Sequence, residues 1–485
     1  MFDIAPLLTP AIVLALLGGT LWGVIMGALP GITGLTALIL ALPVATAMEP
    51  LPGLVLLISI HAVADTGGAV SAIALAIPGT PSNAATVEDG HALARSGHLS
   101  RTIAASAFAS GLGGIIGFGL LCLTLPFSLM LVRAAGAPEI LAVSCLGLLC
   151  AARLGSQSLR QGLVAASFGV FIGLIGTQQS TGEPRMWFGF DMLLDGFSLM
   201  AVATGLFAGP ELLRLVVSKI DGTSLKNIGE KPVSAGLTDT LKRPKILIKA
   251  SLVGWLVGIL PGVGGSVSGF LSYAWSGIKL TGERDDDSRR DGVIAAEAGN
   301  NAKEGGDLIP TLALGLPGGA GMAVLLGAFM VYGIAPGPGF ATHHPDIITG
   351  IAIALLVSNI LGGLLVAFGS PALIWLLNIP RTVLAPLAVA MACAAVASMR
   401  GELFDLWTAA LFCLIGVTMI NLGYSRPALL LGFVLAPIIE TYGSISYNAY
   451  GWAFLQRPGI VVAILLGGFL VVRNLPALQR RRHPR

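Results

Sequence analysis

The sequence predicts an all-α polytopic membrane protein of about ten to twelve transmembrane helices, with re-entrant or broken segments, folded as two inverted-topology repeats. Three observations predict it. Of 485 residues, 55% are hydrophobic and 11% charged, with a mean hydropathy of +0.85, against roughly 25% charged residues in soluble domains. Glycine is in excess at 65 residues, about twice its usual share. Short Pro-Gly motifs also recur inside runs where a membrane helix would otherwise continue.

Residues 11–48, 103–132, 250–278, 308–345 and 347–380 contain no Asp, Glu, Lys or Arg. Each meets or exceeds the roughly 20 residues that cross a bilayer as helix, and the longer ones hold two passes or a pass plus a hairpin. Shorter apolar runs near 138–152, 160–178, 194–218, 406–422, 427–440 and 458–472 supply the remaining spans. No Lys or Arg precedes Arg95, so the first hydrophobic run lacks the basic flank of a cleaved signal and is expected to be retained. Cys122, Cys145, Cys150, Cys393 and Cys413 lie inside apolar runs without metal-ligand spacing and read as packing residues. A net charge of +3 with basic residues clustered in loops gives no support to nucleic-acid binding.

The glycines are organised. Gly27-Ala28-Leu29-Pro30-Gly31-Ile32-Thr33-Gly34 returns as Gly258-Ile259-Leu260-Pro261-Gly262-Val263-Gly264-Gly265, an offset of 258 − 27 = 231. Gly67-Gly68 followed by Ala76-Ile77-Pro78-Gly79-Thr80 returns as Gly305-Gly306 followed by Gly315-Leu316-Pro317-Gly318-Gly319, at offsets of 238 and 239. Two motifs in the same order at nearly constant offset predict a repeat over 1–218 and another over 250–485. The connecting stretch 219–249 has a clear basic excess, which places it in the cytoplasm by the positive-inside rule. The loop after the second motif of repeat one carries Arg95 and Arg101, whereas its counterpart near 335–346 carries no Lys or Arg, so the halves are expected to be inverted. The C-terminal Arg480-Arg481-Arg482 and Arg485 are then cytoplasmic.

A proline inside a helix removes a backbone hydrogen bond, and irregular backbone at membrane depth is tolerated only against protein or a water-filled cavity. Four paired breaks therefore predict discontinuous helices meeting at a binding site. Half-helix starts attract anions and half-helix ends coordinate cations, so carboxylates can be held without a buried arginine. Thr80, Ser82 and Asn83 at the second break either cap a helix start or donate to an anion. Asn300 and Asn301 offer amide donors and carbonyl acceptors before the matching break. Glu297, Lys303, Glu304 and Asp307 around them are either functional ionisable groups or a solvated helix end. Asp65, four residues after His61, is placed to pair with it and carry protons, or to make a structural pair. Asp65, Glu297 and Asn301 are the candidates for the coupling cation. His343-His344 with Asp346 sits in a Pro-Gly loop and is not read as a metal site, and Arg381, Arg400 and Asp405 either pair or mark loop ends.

These residues resemble the large permease subunit of the tripartite tricarboxylate transporters. "GALPGITG" and "GILPGVGG" are similar to that family's paired Leu-Pro-Gly motifs, "IPGTPSNAATVEDGHALARSG" (77–97) to its most distinctive signature, and "AAEAGNNAKEGGDLIPTLALGLPG" (295–318) with "YGIAPGP" (332–338) to its second half. The resemblance covers roughly residues 10–440. It implies a secondary carrier of the bacterial inner membrane that imports tricarboxylates or related organic anions, coupled to Na+ or H+. It also implies two partners, a smaller membrane subunit and a periplasmic substrate-binding protein. The family's binding role carries over to Pro30, Gly31, Pro78, Gly79, Thr80, Pro81, Pro261, Gly262, Asn300, Asn301, Pro317 and Gly318, with Ser82 and Asn83 beside them. The chain departs from the pattern at Ala69-Val70 and Gly319-Ala320-Gly321, where hydroxyl residues are usual, and at Lys303, Glu304 and Asp307, where small residues are common.

A carrier is thus the first expectation, and a passive anion channel independent of a binding protein is the alternative. No HExxH or GxSxG motif is present, so neither an enzyme nor a cofactor is expected.

Overall fold

The computed structural model describes residues 9–30, 32–134, 136–154, 158–178, 181–217, 233–260, 265–276, 284–337, 339–377, 379 and 381–472. Nearly all of this is helix. The first half contains α1 (Pro10–Ala28), α2 (Gly34–Thr46), α3 (Pro50–Leu75), α4 (Ala84–Leu93), α5 (Leu99–Ala134), α6 (Ala137–Leu154), α7 (Leu159–Gly173), α8 (Leu199–Ala203) and α9 (Gly209–Val217). A two-stranded antiparallel hairpin, Gly176–Thr177 with Pro184–Arg185, follows α7. Then come α10 (Val233–Leu241), α11 (Pro244–Ile259), α12 (Gly265–Trp275), α13 (Asp286–Leu314), α14 (Ala320–Val331), α15 (Phe340–His343) and α16 (Pro345–Leu376). The described residues end with α17 (Arg381–Arg400), α18 (Leu403–Leu422), α19 (Arg426–Tyr450) and α20 (Pro458–Val472).

Local chemistry sets the helix ends. The Thr9 hydroxyl accepts the Ile12 N–H at 3.4 Å at the start of α1, Thr33 accepts Thr36 N–H at 3.3 Å at the start of α2, and Asp285 accepts Ser288 N–H at 3.0 Å at the start of α13. The bond to Ser288 holds the exposed Asp285 carboxyl below its ordinary range. Leu29 and Leu260, each followed by proline, are extended at φ −72°, ψ 121° and φ −81°, ψ 108°, as the proline ring requires of the residue before it. Both first breaks therefore end their helices at the same position in the motif.

Close backbone approach organises the interior. A Cβ on Gly23 of α1 would stand 2.7 Å from the Ile60 carbonyl oxygen of α3, and one on Gly258 of α11 would stand 2.9 Å from the Asp307 nitrogen of α13. Glycines at these positions let α1 and α2 pack on α3 as α11 and α12 pack on α13. The two groups then interleave: α3 packs on α16, α13 on α5, α4 on α12, and α14 on α2. Elsewhere α6, α7 and α19 pack together and α20 lies on α6.

Large apolar side chains face outward. Leu14, Phe127, Met130, Trp375, Trp407 and Leu465 are all exposed, which is stable for helices bathed in lipid and costly in water. Among the described residues six helical stretches are long and apolar enough to cross a bilayer: Pro10–Ala28, Pro50–Leu75, Pro81–Met130, Pro345–Leu376, Leu403–Leu422 and Arg426–Gln456. Shorter apolar helices include α2, α7 and α14. The all-α polytopic class is therefore the one observed. Helix α13 is too charged to be counted by hydropathy, yet every residue from 292 to 313 is buried.

Candidate functional site

The second breaks of the two halves have the same construction. Helix α3 ends on Ala76 in the left-handed region at φ 56°, with its N–H bonded to the Ser71 carbonyl; α13 ends on Gly315 at φ 69°, with its N–H bonded to the Pro310 carbonyl. The spacing 315 − 76 = 239 equals 310 − 71. A left-handed residue in this place is the usual terminator of a helix. Gly79 then donates its N–H to Gly68 O at 3.3 Å, and Gly318 donates to the Thr311 hydroxyl at 3.3 Å. A Cβ on Gly318 would lie 2.7 Å from Asp307 Cα of α13, and one on Gly79 would lie 2.9 Å from the Gly68 carbonyl oxygen of α3. Only glycine allows the returning chain to lie this close to the helix it has just left.

Thr80 and Asn83 do not cap the helix starts that follow, which overturns the capping alternative. The Thr80 hydroxyl donates to Asn83 Oδ1 at 2.7 Å, and Asn83 Nδ2 donates to Asp65 O at 2.9 Å and to Glu297 Oε1 at 3.1 Å. Thr86 donates to Glu297 Oε1 at 2.5 Å, and Ser110 to Glu297 Oε2 at 3.1 Å. Glu297 of α13 is fully buried and tied by these donors to α4 and α5. Ser82 is buried, its carbonyl oxygen 2.8 Å from where a Cβ on Gly269 of α12 would stand. Pro30 and Pro317 are buried, while Pro78 and Pro81 are exposed. Gly31, Pro261 and Gly262 lie outside the described residues.

The two asparagines on α13 point to different neighbours. Asn301 Nδ2 donates to Thr66 Oγ1 and to Asn359 Oδ1, both at 2.8 Å, and to Ala62 O at 3.3 Å. Its Oδ1 and both polar atoms of the fully buried Asn300 have no hydrogen-bond partner among the described residues. A buried amide left so costs about 1–3 kcal/mol per group, and this makes Asn300 the side chain in the cluster most in need of a ligand.

One helical turn beyond Asn300 lies an ion cluster. His61 does not pair with Asp65, contrary to the sequence expectation. Its Nε2 meets Glu304 Oε2 at 2.5 Å, and Asp65 Oδ2 instead meets Lys303 Nζ at 3.4 Å. Lys303 Nζ also donates to Glu304 Oε1 at 2.6 Å. The reason is packing: α3 faces α13 here, and a partner on the opposing helix lies closer than one a turn away. Lys303, Glu304 and Asp307 are 4%, 1% and 3% exposed, so the alternative of a solvated helix end is overturned too. His61, Glu304 and Asp307 bring donor atoms within 4.8 Å of one another. Asp65 and Glu304 are themselves 239 residues apart, the spacing of the two breaks.

Several partners were not read from sequence. Glu211 of α9 accepts from Thr33 Oγ1 at 3.0 Å and Thr36 Oγ1 at 2.5 Å, so a carboxylate from another helix stands at the start of α2, where the helix dipole favours it. Its signal was an acid inside the apolar run 194–218. Asn359, Ser110 and Thr86 are polar residues of α16, α5 and α4 with no local signature. His343 bonds its own turn at Gly339 O, 2.9 Å away. Arg400 donates to the carbonyl oxygens of Gly196 and Asp195, not to Asp405. A separate cavity of about 490 Å³, lined by α7, the hairpin, α14 and α19 and including Arg185, Arg400 and Glu440, contains none of the break residues.

Outer helices that expose apolar faces, around two inner helices broken at glycine-rich turns beside buried ions, define a multi-pass membrane protein with a polar site in its interior. The sequence agrees in detail with one family of this class. The chain belongs to the tripartite tricarboxylate transporter TctA family, whose model matches residues 13–431. It is 30% identical over 98% of its length, and 95% of the relative's, to an uncharacterised 52.8 kDa protein of the TAR-I ttuC' 3' region of Agrobacterium vitis. It is also 32% identical, over 47% of its length and 97% of the relative's, to an uncharacterised protein of the TAR-II ttuC' 3' region of the same organism. Membership in a transporter family makes transport the role to be explained.

Proposed function

We propose that the chain is the large permease subunit of a secondary active importer of tricarboxylates or related organic anions, driven by a cation gradient and fed by a periplasmic binding protein through a complex with a smaller membrane subunit. It lies in the bacterial inner membrane with its C-terminus in the cytoplasm, as two inverted repeats, 1–218 and 250–485, joined by the basic stretch 219–249. The single observation that carries the reading is the pair of identically terminated breaks at 76–80 and 315–319, beside one buried polar network.

That geometry suits an organic anion. Helix α14 starts at Gly319, which has no side chain to cap it, so its first N–H groups are available to a carboxylate. His61 lies against this same turn, with its Nδ1 2.7 Å from where a Cβ on Gly321 would stand. Asn300 adds a buried amide without a hydrogen-bond partner among the described residues. Asp65, Glu304 and Asp307 repel an arriving anion unless a cation enters with it, which is the physical basis for coupling. Packing of α3 on α16 and of α13 on α5 gives each half a partner in the other against which it can move.

The test is uptake of labelled di- and tricarboxylates into proteoliposomes holding the chain with its small membrane subunit and binding protein, with sodium and pH gradients imposed separately. Gradient-dependent accumulation of a carboxylate is expected. Downhill flux that ignores both gradients and the binding protein would establish the passive channel instead.

A further inference from the structure

Lys303 is the group that transport by helix ends leaves unexplained. A lysine buried to 4% exposure in a membrane helix is costly unless paired, and here it is paired twice, with Glu304 at 2.6 Å and Asp65 at 3.4 Å. Those carboxylates come from opposing helices at equivalent positions, 239 residues apart, whereas the position equivalent to Lys303 in the first half is Ala64. A single ammonium from one half thus bridges a matched pair of carboxylates.

We propose that Lys303 is a tethered cation, its ammonium filling the position between Asp65 and Glu304 where a sodium ion would sit, so that protons and not sodium drive this chain. Lysine suits the task because its ammonium is a compact point charge, unlike the planar guanidinium of arginine. A sodium ion brought to about 4 Å from it would bind roughly a thousandfold more weakly, the Boltzmann factor for two like charges at an effective dielectric of about 20. The remaining ionisable groups that act on the cluster among the described residues are His61 on Glu304 Oε2, Asp307, and Glu297, which Asn83, Thr86 and Ser110 hold beside Asp65. Helix α14, which packs on His61, brings no ionisable side chain. With Lys303 charged, the group of His61, Asp65, Lys303, Glu304 and Asp307 is neutral when His61 and Asp307 each hold a proton, and doubly negative when neither does. Two protons are therefore enough to neutralise it. His61, with 16% of its side chain exposed against 1% for Glu304, is the point of entry.

The tethered cation stands on geometry alone; its part in driving transport rests on the function proposed above. Purified full-length protein is melted in NaCl and in KCl of equal ionic strength. The wild type is expected to show the same Tm in both salts, and Lys303→Ala a higher Tm in sodium. In proteoliposomes the wild type is expected to respond to a pH gradient and not to a sodium gradient, with sodium stimulation appearing in Lys303→Ala. Sodium-specific stabilisation of the wild type, a Lys303→Ala variant indifferent to sodium, or one that folds in neither salt would each overturn the proposal. Folding of Lys303→Ala in NaCl but not in KCl would support it. If no carboxylate is taken up under any gradient the transport reading fails, while the melting comparison still decides whether Lys303 stands in for sodium.

Discussion

The bond between Asn83 and Glu297 ties the second break of the first half to the inner helix of the second, and it can be measured. Asn83→Ala removes three hydrogen bonds: the one accepted from Thr80, and those donated to Asp65 O and to Glu297 Oε1. Glu297 keeps Thr86 and Ser110, so its burial stays partly compensated. Two neutral bonds at about 1 kcal/mol and one to a carboxylate at about 1.5–3 kcal/mol give an expected loss of about 3.5–5 kcal/mol. The share that belongs to the pair itself follows from a double-mutant cycle with Glu297→Ala, which removes the acceptor. Equilibrium unfolding in mixed micelles of rising denaturing-detergent content, read by tryptophan fluorescence, supplies the four stabilities. A coupling energy of about 1.5–3 kcal/mol is expected. Additivity to within about 0.5 kcal/mol would refute a direct link between the 76–83 break and α13.

Three further outcomes follow from the same contacts. Thr80→Val should cost only about 1 kcal/mol of stability, one neutral hydrogen bond, and Asn301→Ala should cost about 2 kcal/mol because Thr66 and Asn359 lose a shared donor; both should weaken carboxylate binding by calorimetry while membrane insertion is unchanged. Glu211→Gln, which keeps an acceptor for Thr33 and Thr36, should lower Tm less than Glu211→Leu, which strands both hydroxyls at a cost of about 2–3 kcal/mol; equal Tm values would show that the carboxylate does not hold the start of α2. Gly258→Leu places side-chain atoms against Gly306 Cα and the Asp307 nitrogen, 3.0 and 2.9 Å from its Cβ, and should cost about 3 kcal/mol or more and abolish a monodisperse peak in size exclusion.

Much of the site was legible because breaks are written in residue type. Proline after Leu29 and Leu260 leaves the chain no helical option, and glycine at 79 and 318 is where a Cβ would collide with backbone. The same motifs carry the family resemblance, which the family match over 13–431 bears out. The polar wiring was not legible. Spacing on one helix suggested His61 with Asp65, because only neighbours in sequence can be seen there, whereas the opposing helix supplied Glu304 and Lys303. Thr80 and Asn83 have the chemistry of caps, and only the position of Glu297 shows that their side chains are used otherwise. Charge left open whether this part of α13 was a solvated helix end, because hydropathy cannot recognise that its charges pair with one another inside the bundle.

By itself, then, the sequence determined that the chain is a helical membrane protein with four paired breaks and a place in a transporter family, since composition and backbone sterics are local and need no partner. Tertiary structure alone decided which charge meets which: Lys303 between Asp65 and Glu304, Glu297 under Asn83, Glu211 at the start of α2. The physical reason is that an ion pair in a low-dielectric interior is set by distance across the helix interface, and that distance is created only when α3, α13 and α9 come to rest against their neighbours.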